Sequence, residues 1–98
     1  MINDRKKKLL QAILMEFIAN AEPVGSRTLT KRYDLGLSPA TIRNEMSDLE
    51  EMGFLLRPHT SAGRVPTEKA YRYYVDQMMK TYELTNDEKA IIAGKINN

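Results

Sequence analysis

The sequence predicts a mainly α-helical fold with one small β-hairpin, and three observations lead to this prediction. Apolar residues recur at helical spacing in four segments before residue 80. A short glycine-containing turn separates the second of these segments from the third. A brief apolar stretch with proline and glycine, typical of a hairpin, follows the third. With 42% hydrophobic and 29% charged residues, the 98-residue chain has the composition of a globular domain.

The first predicted helix runs from about Asp4 to Asn20, with Asn3 as its N-cap. Its apolar side chains form one stripe of an amphipathic helix. They are Leu9, Leu10, Ile13, Leu14, Phe17 and Ile18. We expect segment 22–25 to end the helix, because it contains a proline and a glycine.

The second predicted helix is short, from about Ser26 to Tyr33, and Ser26 is its expected N-cap. Leu29 and Tyr33 form an inward-facing i, i+4 pair. The following turn, 34–37, is so short that the second and third helices must lie close together and at an angle.

The third helix has the clearest start and end. Ser38 is the expected N-cap, and Pro39 stands at the first helical position, where its missing N–H costs nothing. Gly53 is expected just past the last turn as a left-handed cap. The core-facing positions are Ile42, Met46 and Leu49.

Two short apolar segments, 54–58 and 64–66, flank a loop of turn residues and predict a small hairpin. Thr67 then caps a fourth helix that extends to about Lys80. Its apolar stripe consists of Ala70, Tyr71, Tyr74, Val75, Met78 and Met79. Tyr73 falls on another face, which is compatible with a contact to a partner or a further domain.

Segment 85–88 is a capping box, with Thr85 at N-cap and Glu88 at N3, that starts a fifth helix. That helix carries Ile91, Ile92 and Ile96. We expect residues 1–80 to form one domain and residues 81–98 to be a linker and the truncated start of a following helix or domain. A fifth helix that folds back onto the domain is the alternative.

Several classes of protein are disfavoured. The chain has no cysteine, which excludes disulfides and thiolate metal sites and fits a reducing cytoplasm. No uninterrupted apolar stretch approaches the roughly 20 residues that span a bilayer. The single histidine, His59, lies in a loop without an evident carboxylate or nucleophile partner. We therefore expect a cytoplasmic protein that is not an enzyme and binds no membrane, metal or cofactor.

The order helix, helix, tight turn, helix, hairpin, helix is that of a winged helix-turn-helix: a three-helix core, a two-stranded wing and a fourth helix leading to further domains. In such domains the helix after the turn, here 38–52, enters the major groove of DNA, and its N-terminal residues meet base edges. The wing, residues 57–65, is then expected on the DNA backbone or in the minor groove.

The solvent-facing residues of the third helix suit that role. Arg43 can donate two hydrogen bonds to guanine, and Asn44 can pair with adenine. The acidic residues lie in the second half of the helix, where phosphates would repel them. Taken alone, an ordinary solvated helix face explains these residues equally well. The residues expected at the DNA are Ser38, Ala40, Thr41, Arg43, Asn44 and Ser47.

Charge is unevenly distributed, although the net charge is only +2. The stretch 54–73 carries four basic residues against one acidic residue, whereas the basic block 5–8 is best explained as a solvated helix start. Arg64 on the wing is expected to reach a phosphate or a narrow minor groove, and Arg27 to clamp a phosphate. At the wing tip we expect contacts from His59, Thr60 and Ser61. The alternative is a structural turn with solvated arginines.

Four runs of residues together resemble one family. They are EPVGSRTL at 22–29, LSPATIRNEM at 37–46, PHTSAGRVPT at 58–67 and YRYYVD at 71–76. Their combination is highly specific and is similar to the bacterial heat-inducible transcription repressors of the HrcA family. The resemblance covers roughly residues 1–80 without gaps. The family pattern has glycine where this chain has Ala70, which should stiffen the fourth helix and leave the DNA face unchanged.

The resemblance implies properties that residue spacing does not. Such proteins are several times longer and carry further domains for dimerisation and regulation. They bind as homodimers to an inverted-repeat operator and repress chaperone operons, and the GroE chaperonin helps to keep them active. The positions that match the family's DNA-reading residues are Ser38, Thr41, Arg43, Asn44, His59, Thr60, Ser61 and Arg64.

Two other functions were weighed against DNA binding. A winged helix used for protein contact would need an exposed apolar patch on the third helix, and Arg43, Asn44 and Ser47 argue against one. An RNA-binding domain usually has exposed aromatic platforms for stacking. Neither the third helix nor the wing carries an aromatic residue suited to that purpose.

Overall fold

The computed structural model describes residues 2–59 and 62–80. Its helices and strands are α1 (Asp4–Asn20), α2 (Ser26–Arg32), α3 (Pro39–Glu51), β1 (Leu55–Leu56) and β2 (Val65–Pro66). A fourth helix, α4, covers residues 68–80. The predicted winged helix-turn-helix fold, mainly α-helical with one small hairpin, is confirmed. The predicted linker and fifth helix, 81–98, lie outside the described residues.

The three helices α1, α2 and α3 surround one apolar core. The largest side chains that are at most 1% exposed are Leu9, Leu10, Ile13, Leu14, Leu29, Ile42 and Leu49. The inward stripes predicted for α1 and α3 are therefore largely confirmed. Ile18 is an exception, since it is 62% exposed at the far end of α1.

Local capping fixes where the helices begin and end. The Asn3 side chain accepts a hydrogen bond from the Lys6 backbone N–H at 2.8 Å, as predicted. α1 ends at Asn20 on a left-handed Ala21 (φ 55°), ahead of the proline that was expected to end it. The N-cap of α2 is Gly25, whose backbone is extended. The prediction of Ser26 as that cap was wrong, because Ser26 is already inside the first helical turn.

A small network of polar side chains ties α1 to the end of α2. The buried carboxylate of Glu16 accepts a hydrogen bond from the Tyr33 hydroxyl at 3.2 Å and lies 3.3 Å from the Arg32 guanidinium. Burial, and then the hydrogen bond to Glu16, raise the pKa of Tyr33 above its usual value. Tyr33 thus stays in its neutral, hydrogen-bonding form over a wider pH range.

The hairpin is short, and a segment outside it also forms backbone hydrogen bonds with it. β1 and β2 pair antiparallel, with Leu55 opposite Pro66 and Leu56 opposite Val65. Beyond this ladder, Val24 and Arg64 exchange two backbone hydrogen bonds of 2.8 and 2.9 Å. The base of the wing is therefore anchored on the segment between α1 and α2, a contact that the sequence analysis did not predict.

Gly63 explains how closely these two segments approach. A Cβ atom at this position would lie 2.9 Å from the backbone carbon of Pro23, which is shorter than real Cβ contacts. Glycine at position 63 is therefore required by the packing of the wing against segment 23–24, not by its backbone angles.

α4 packs against the core through Ala70, which is fully buried. The Tyr73 ring meets Phe54 edge-to-face, with centroids 5.7 Å apart. Phe54 thus gives this face of α4 a contact within the domain, and the contact of Tyr73 with a partner or a further domain stays a prediction. Val75 and Met78 are about half exposed, so the predicted apolar stripe of α4 is only partly covered by the described residues. Within those residues no helix has the length and apolarity to cross a membrane.

Candidate nucleic-acid interface

The outward face of α3 forms the first part of the candidate interface. Its side chains Ala40, Arg43, Asn44 and Ser47 are exposed, and Thr41 on the flank is half-buried. On the opposite face Ile42, Met46 and Leu49 are at most 3% exposed. The packing of these three side chains fixes the rotation of α3, so that its polar residues point into solvent as predicted.

The start of α3 is fixed by Ser38. Its side-chain oxygen accepts a hydrogen bond from the Thr41 backbone N–H at 3.1 Å, and its hydroxyl donates to the Thr41 side-chain oxygen at 2.9 Å. Pro39 occupies the first helical position. The N-terminal end of the helix also carries partial positive charge, which favours an anion nearby.

Three of the four acidic residues in the second half of α3 are paired with basic residues from other elements, and the fourth, Glu51, is exposed. Lys6 on α1 lies 2.9 Å from a Glu45 carboxylate oxygen and 3.3 Å from Asp48. Glu50 lies 2.6 Å from the Nε of Arg64 on the wing. These ion pairs neutralise acidic groups that would otherwise repel a polyanion.

Lys6 departs from the expectation that the basic block 5–8 is simply solvated. Its side chain is only 13% exposed. The hydrogen bond that its ammonium group donates to Glu45, with the nearby Asp48 carboxylate, raises the pKa of Lys6 above 10.5. Lys6 therefore anchors α1 to α3, whereas Lys7 and Lys8 are exposed.

A cleft of about 450 Å³ lies between the start of α2, the outward face of α3 and the wing. Its lining residues are Gly25, Ser26, Arg27, Arg43, Met46, Ser47, Arg57, Ala62 and Arg64. We call it the arginine cleft, because four of these residues are arginines. Concave positive surfaces of this kind attract phosphate groups. The structure thus brings together predicted site residues from three separate segments.

Arg57 is a member of this cleft that the sequence analysis did not include among the site residues. Arg57 is the first residue of the predicted wing, 57–65, and no contact was predicted for it. The side chain is exposed, and among residues 2–59 and 62–80 it has no ion pair or hydrogen bond. The sequence did contain one signal for it, namely that Arg57 directly follows the short apolar segment that predicts the first strand of the hairpin.

Arg64 does not occupy the exposed position that the sequence analysis expected. The residue is 6% exposed. Its Nε lies 2.6 Å from Glu50, and one terminal nitrogen donates to the Ala62 carbonyl oxygen at 2.8 Å. In this structure the guanidinium group is used within the protein, because the wing folds back onto the C-terminal half of α3.

The wing tip is only partly described. His59 is exposed, as expected, whereas Thr60 and Ser61 lie outside the described residues. In the part of the chain that the structure describes, no cluster of histidine and carboxylate side chains could hold a metal ion.

Comparison with curated proteins finds close relatives. A protein from Pelotomaculum thermopropionicum named heat-inducible transcription repressor HrcA is 63% identical over 91 residues, 93% of this chain and 26% of that protein. Proteins of the same name from Acetivibrio thermocellus and Clostridium perfringens are 58% and 55% identical, each over 98% of this chain and 28% of theirs. The resemblance indicated by the sequence motifs is therefore confirmed. The chain spans about a quarter of the length of these relatives.

A solved structure has the same fold. It is described as the crystal structure of a hypothetical protein, and it matches with a TM-score of 0.78 and 45% sequence identity. The match covers 82% of this chain and 26% of that chain. No family model matches the sequence.

Proposed function

We propose that this chain, a homologue of the N-terminal part of the HrcA repressors, is a DNA-binding domain that represses heat-shock chaperone operons. The observation that carries the proposal is the exposed polar face of α3 beside the arginine cleft. Transcription repressors are not enzymes, and the proposed site performs recognition without chemistry.

In this proposal the N-terminal half of α3 enters the major groove. Arg43 and Asn44 read base edges, because an arginine forms two hydrogen bonds with guanine and an asparagine forms two with adenine. Ala40 is small enough to allow close approach or to contact a thymine methyl group. Ser38, Thr41 and Ser47 contact bases or phosphates around them.

The surrounding residues hold the DNA backbone. Arg27 is exposed at the start of α2 and lines the arginine cleft, where it can clamp a phosphate. The tip of the wing, with His59, Thr60 and Ser61, lies over the backbone or in the minor groove. Phosphate contacts fix the position of the protein, whereas base contacts determine sequence preference.

The partners of the longer protein belong to the proposal as well. We expect a homodimer on an inverted-repeat operator, because two symmetry-related domains then bind two half-sites. Regulation by the GroE chaperonin and a cytoplasmic location follow from the same family. The family's further domains would supply dimerisation and the response to heat.

The proposal is tested by measuring the affinity of this chain for an inverted-repeat operator from a chaperone promoter, beside a scrambled duplex of equal length, at several salt concentrations. A clear preference for the operator, with affinity falling as salt rises, supports base reading by this domain. Equal, salt-sensitive binding to both duplexes would mean that dimerisation through other domains supplies specificity.

Absence of binding to either duplex at low salt would contradict the proposal for this chain. A protein-binding winged helix would then become the leading explanation. The full-length repressor, assayed with the same two duplexes, is the matched comparison, because it differs from the chain only in the further domains.

A further inference from the structure

Two arginines flank the hairpin ladder at equivalent positions but have different surroundings. Leu56 pairs with Val65, so the next residues toward the wing tip are Arg57 on one strand and Arg64 on the other. Both line the arginine cleft. The Arg57 side chain is exposed and unpaired among the described residues, whereas Arg64 is 6% exposed and ion-paired.

Arg64 connects three parts of the domain. Its side chain holds Glu50 of α3 at 2.6 Å and the Ala62 carbonyl oxygen at 2.8 Å. Its backbone exchanges two hydrogen bonds with Val24, in the segment that leads to α2. To reach a phosphate, its guanidinium group would have to leave Glu50 and the loop carbonyl. That exchange is unfavourable, because it breaks both of these contacts and leaves the Glu50 carboxylate unpaired close to the phosphate.

We infer that Arg57 is the phosphate-binding residue of the wing, and that Arg64 is a positioning residue that holds the wing against α3 through Glu50. The inference rests on the proposed DNA-binding function. It assigns the contact between the wing and the DNA backbone to Arg57, which was not among the predicted site residues. Arg57 lies in the same cleft as the exposed Arg27 and Arg43, where the combined positive charge favours a phosphate.

The salt dependence of operator binding, measured with the full-length repressor, distinguishes a phosphate-binding residue from a positioning residue. Each lost phosphate contact lowers the steepness of log affinity against log salt by about 0.9. In the proposed homodimer Arg57→Gln removes one contact from each protomer, so it flattens the dependence by about twice this amount, and Arg57→Lys restores it. Arg64→Gln lowers affinity by a similar factor at every salt concentration and leaves the slope unchanged.

Glu50 provides a test in which the two roles predict opposite signs. Glu50→Ala removes a negative charge near the DNA, so it should strengthen binding if Arg64 is a phosphate contact. If Arg64 is a positioning residue, Glu50→Ala weakens binding, because the wing loses its anchor on α3. Glu51→Ala is the matched control, since it removes the same charge from an exposed neighbour. It is expected to leave binding unchanged or slightly strengthen it.

The inference is overturned if Arg64→Gln flattens the salt dependence, or if Glu50→Ala strengthens binding as Glu51→Ala does. An unchanged slope of log affinity against log salt for Arg57→Gln would also overturn the inference. The proposed function would remain intact in each of these cases, provided that the wild type binds the operator. Failure of the wild type to bind any duplex would overturn both. Should Arg64→Gln not fold, the comparison of Glu50→Ala with Glu51→Ala still decides, because neither carboxylate is buried: the Glu50 side chain is 37% exposed and Glu51 is exposed.

Discussion

The two halves of α3 have the same secondary structure but opposite electrostatic surroundings. In the first half, Arg43 and Asn44 are exposed and make no side-chain hydrogen bond or ion pair to any described residue. In the second half, Glu45, Asp48 and Glu50 are each paired with a basic side chain from α1 or the wing. One half is available to a ligand, and the other is used to hold the helix in the domain.

This difference indicates how a nearly neutral domain can bind a polyanion. Three of the four acidic groups of α3 are neutralised within the protein, and the fourth, Glu51, is the last residue of the helix, so the exposed Arg43 dominates the local field near its start. The ion pairs also attach α3 to two other elements, which keeps its outward face in a fixed orientation. Exposed ion pairs contribute little to stability, but the Lys6 and Glu45 side chains are only 13% and 11% exposed.

The largest expected effect comes from breaking the core beneath the second half of α3. Leu49 is fully buried there. Leu49→Ala is expected to lower the free energy of unfolding by about 2–5 kcal/mol, because it leaves a cavity. Ser47→Ala, on the exposed face of the same helix, is the control and should change it by less than about 0.5 kcal/mol. Urea denaturation of both variants measures the difference, and equal losses would contradict the assigned rotation of α3.

A smaller effect is expected at the start of the first half. Ser38→Ala removes the acceptor for the Thr41 backbone N–H and should lower the free energy of unfolding by about 1 kcal/mol. Ser26→Ala is the matched change at a serine that caps no helix, and its effect should be clearly smaller. A larger loss for Ser26→Ala in thermal denaturation would restore the sequence-based assignment of Ser26 as a cap.

The smallest effect concerns the pH dependence of the Lys6 ion pairs. Because the pKa of Lys6 is raised in the folded state, the stabilisation that the Lys6 ion pairs provide is complete below pH 10.5. It is lost as the pH rises above that value. Lys6→Met should remove this part of the alkaline loss of stability. Tyr33 titrates with the same sign, since its pKa is also raised. Lys6→Met is therefore compared with Lys6 in a Tyr33→Phe background, by measuring the free energy of unfolding as a function of pH. Identical pH profiles for the two proteins would contradict a stabilising role of the Lys6 ion pairs.

Most features that depend on neighbouring residues could be predicted from the sequence, and the N-cap of α2 is the exception. The caps at Asn3 and Ser38 and the left-handed Gly53 (φ 86°) are local, because each is determined within one helical turn. The exposed face of α3 was predicted for a similar reason, since helical periodicity alone separates Arg43 and Asn44 from the buried stripe.

Features that depend on distant contacts could not be predicted. The burial of Arg64 requires Glu50, 14 residues earlier in the chain. The position of Tyr73 requires Phe54 beneath α4. Neither partner is marked by spacing, because the approach of the wing and α4 to α3 is set by the tertiary fold. The candidate site was therefore predicted on the helix and only partly predicted on the wing.

The most direct test of the account compares Arg43→Ala with Arg27→Ala. The quantity measured is the ratio of affinities for the operator and a scrambled duplex, at one salt concentration. Arg43→Ala is expected to lower operator affinity by about 1–3 kcal/mol and to reduce the ratio, because a base contact is lost. Arg27→Ala should weaken binding to both duplexes alike and leave the ratio unchanged. Equal losses on both duplexes for Arg43→Ala would contradict base reading by the outward face of α3.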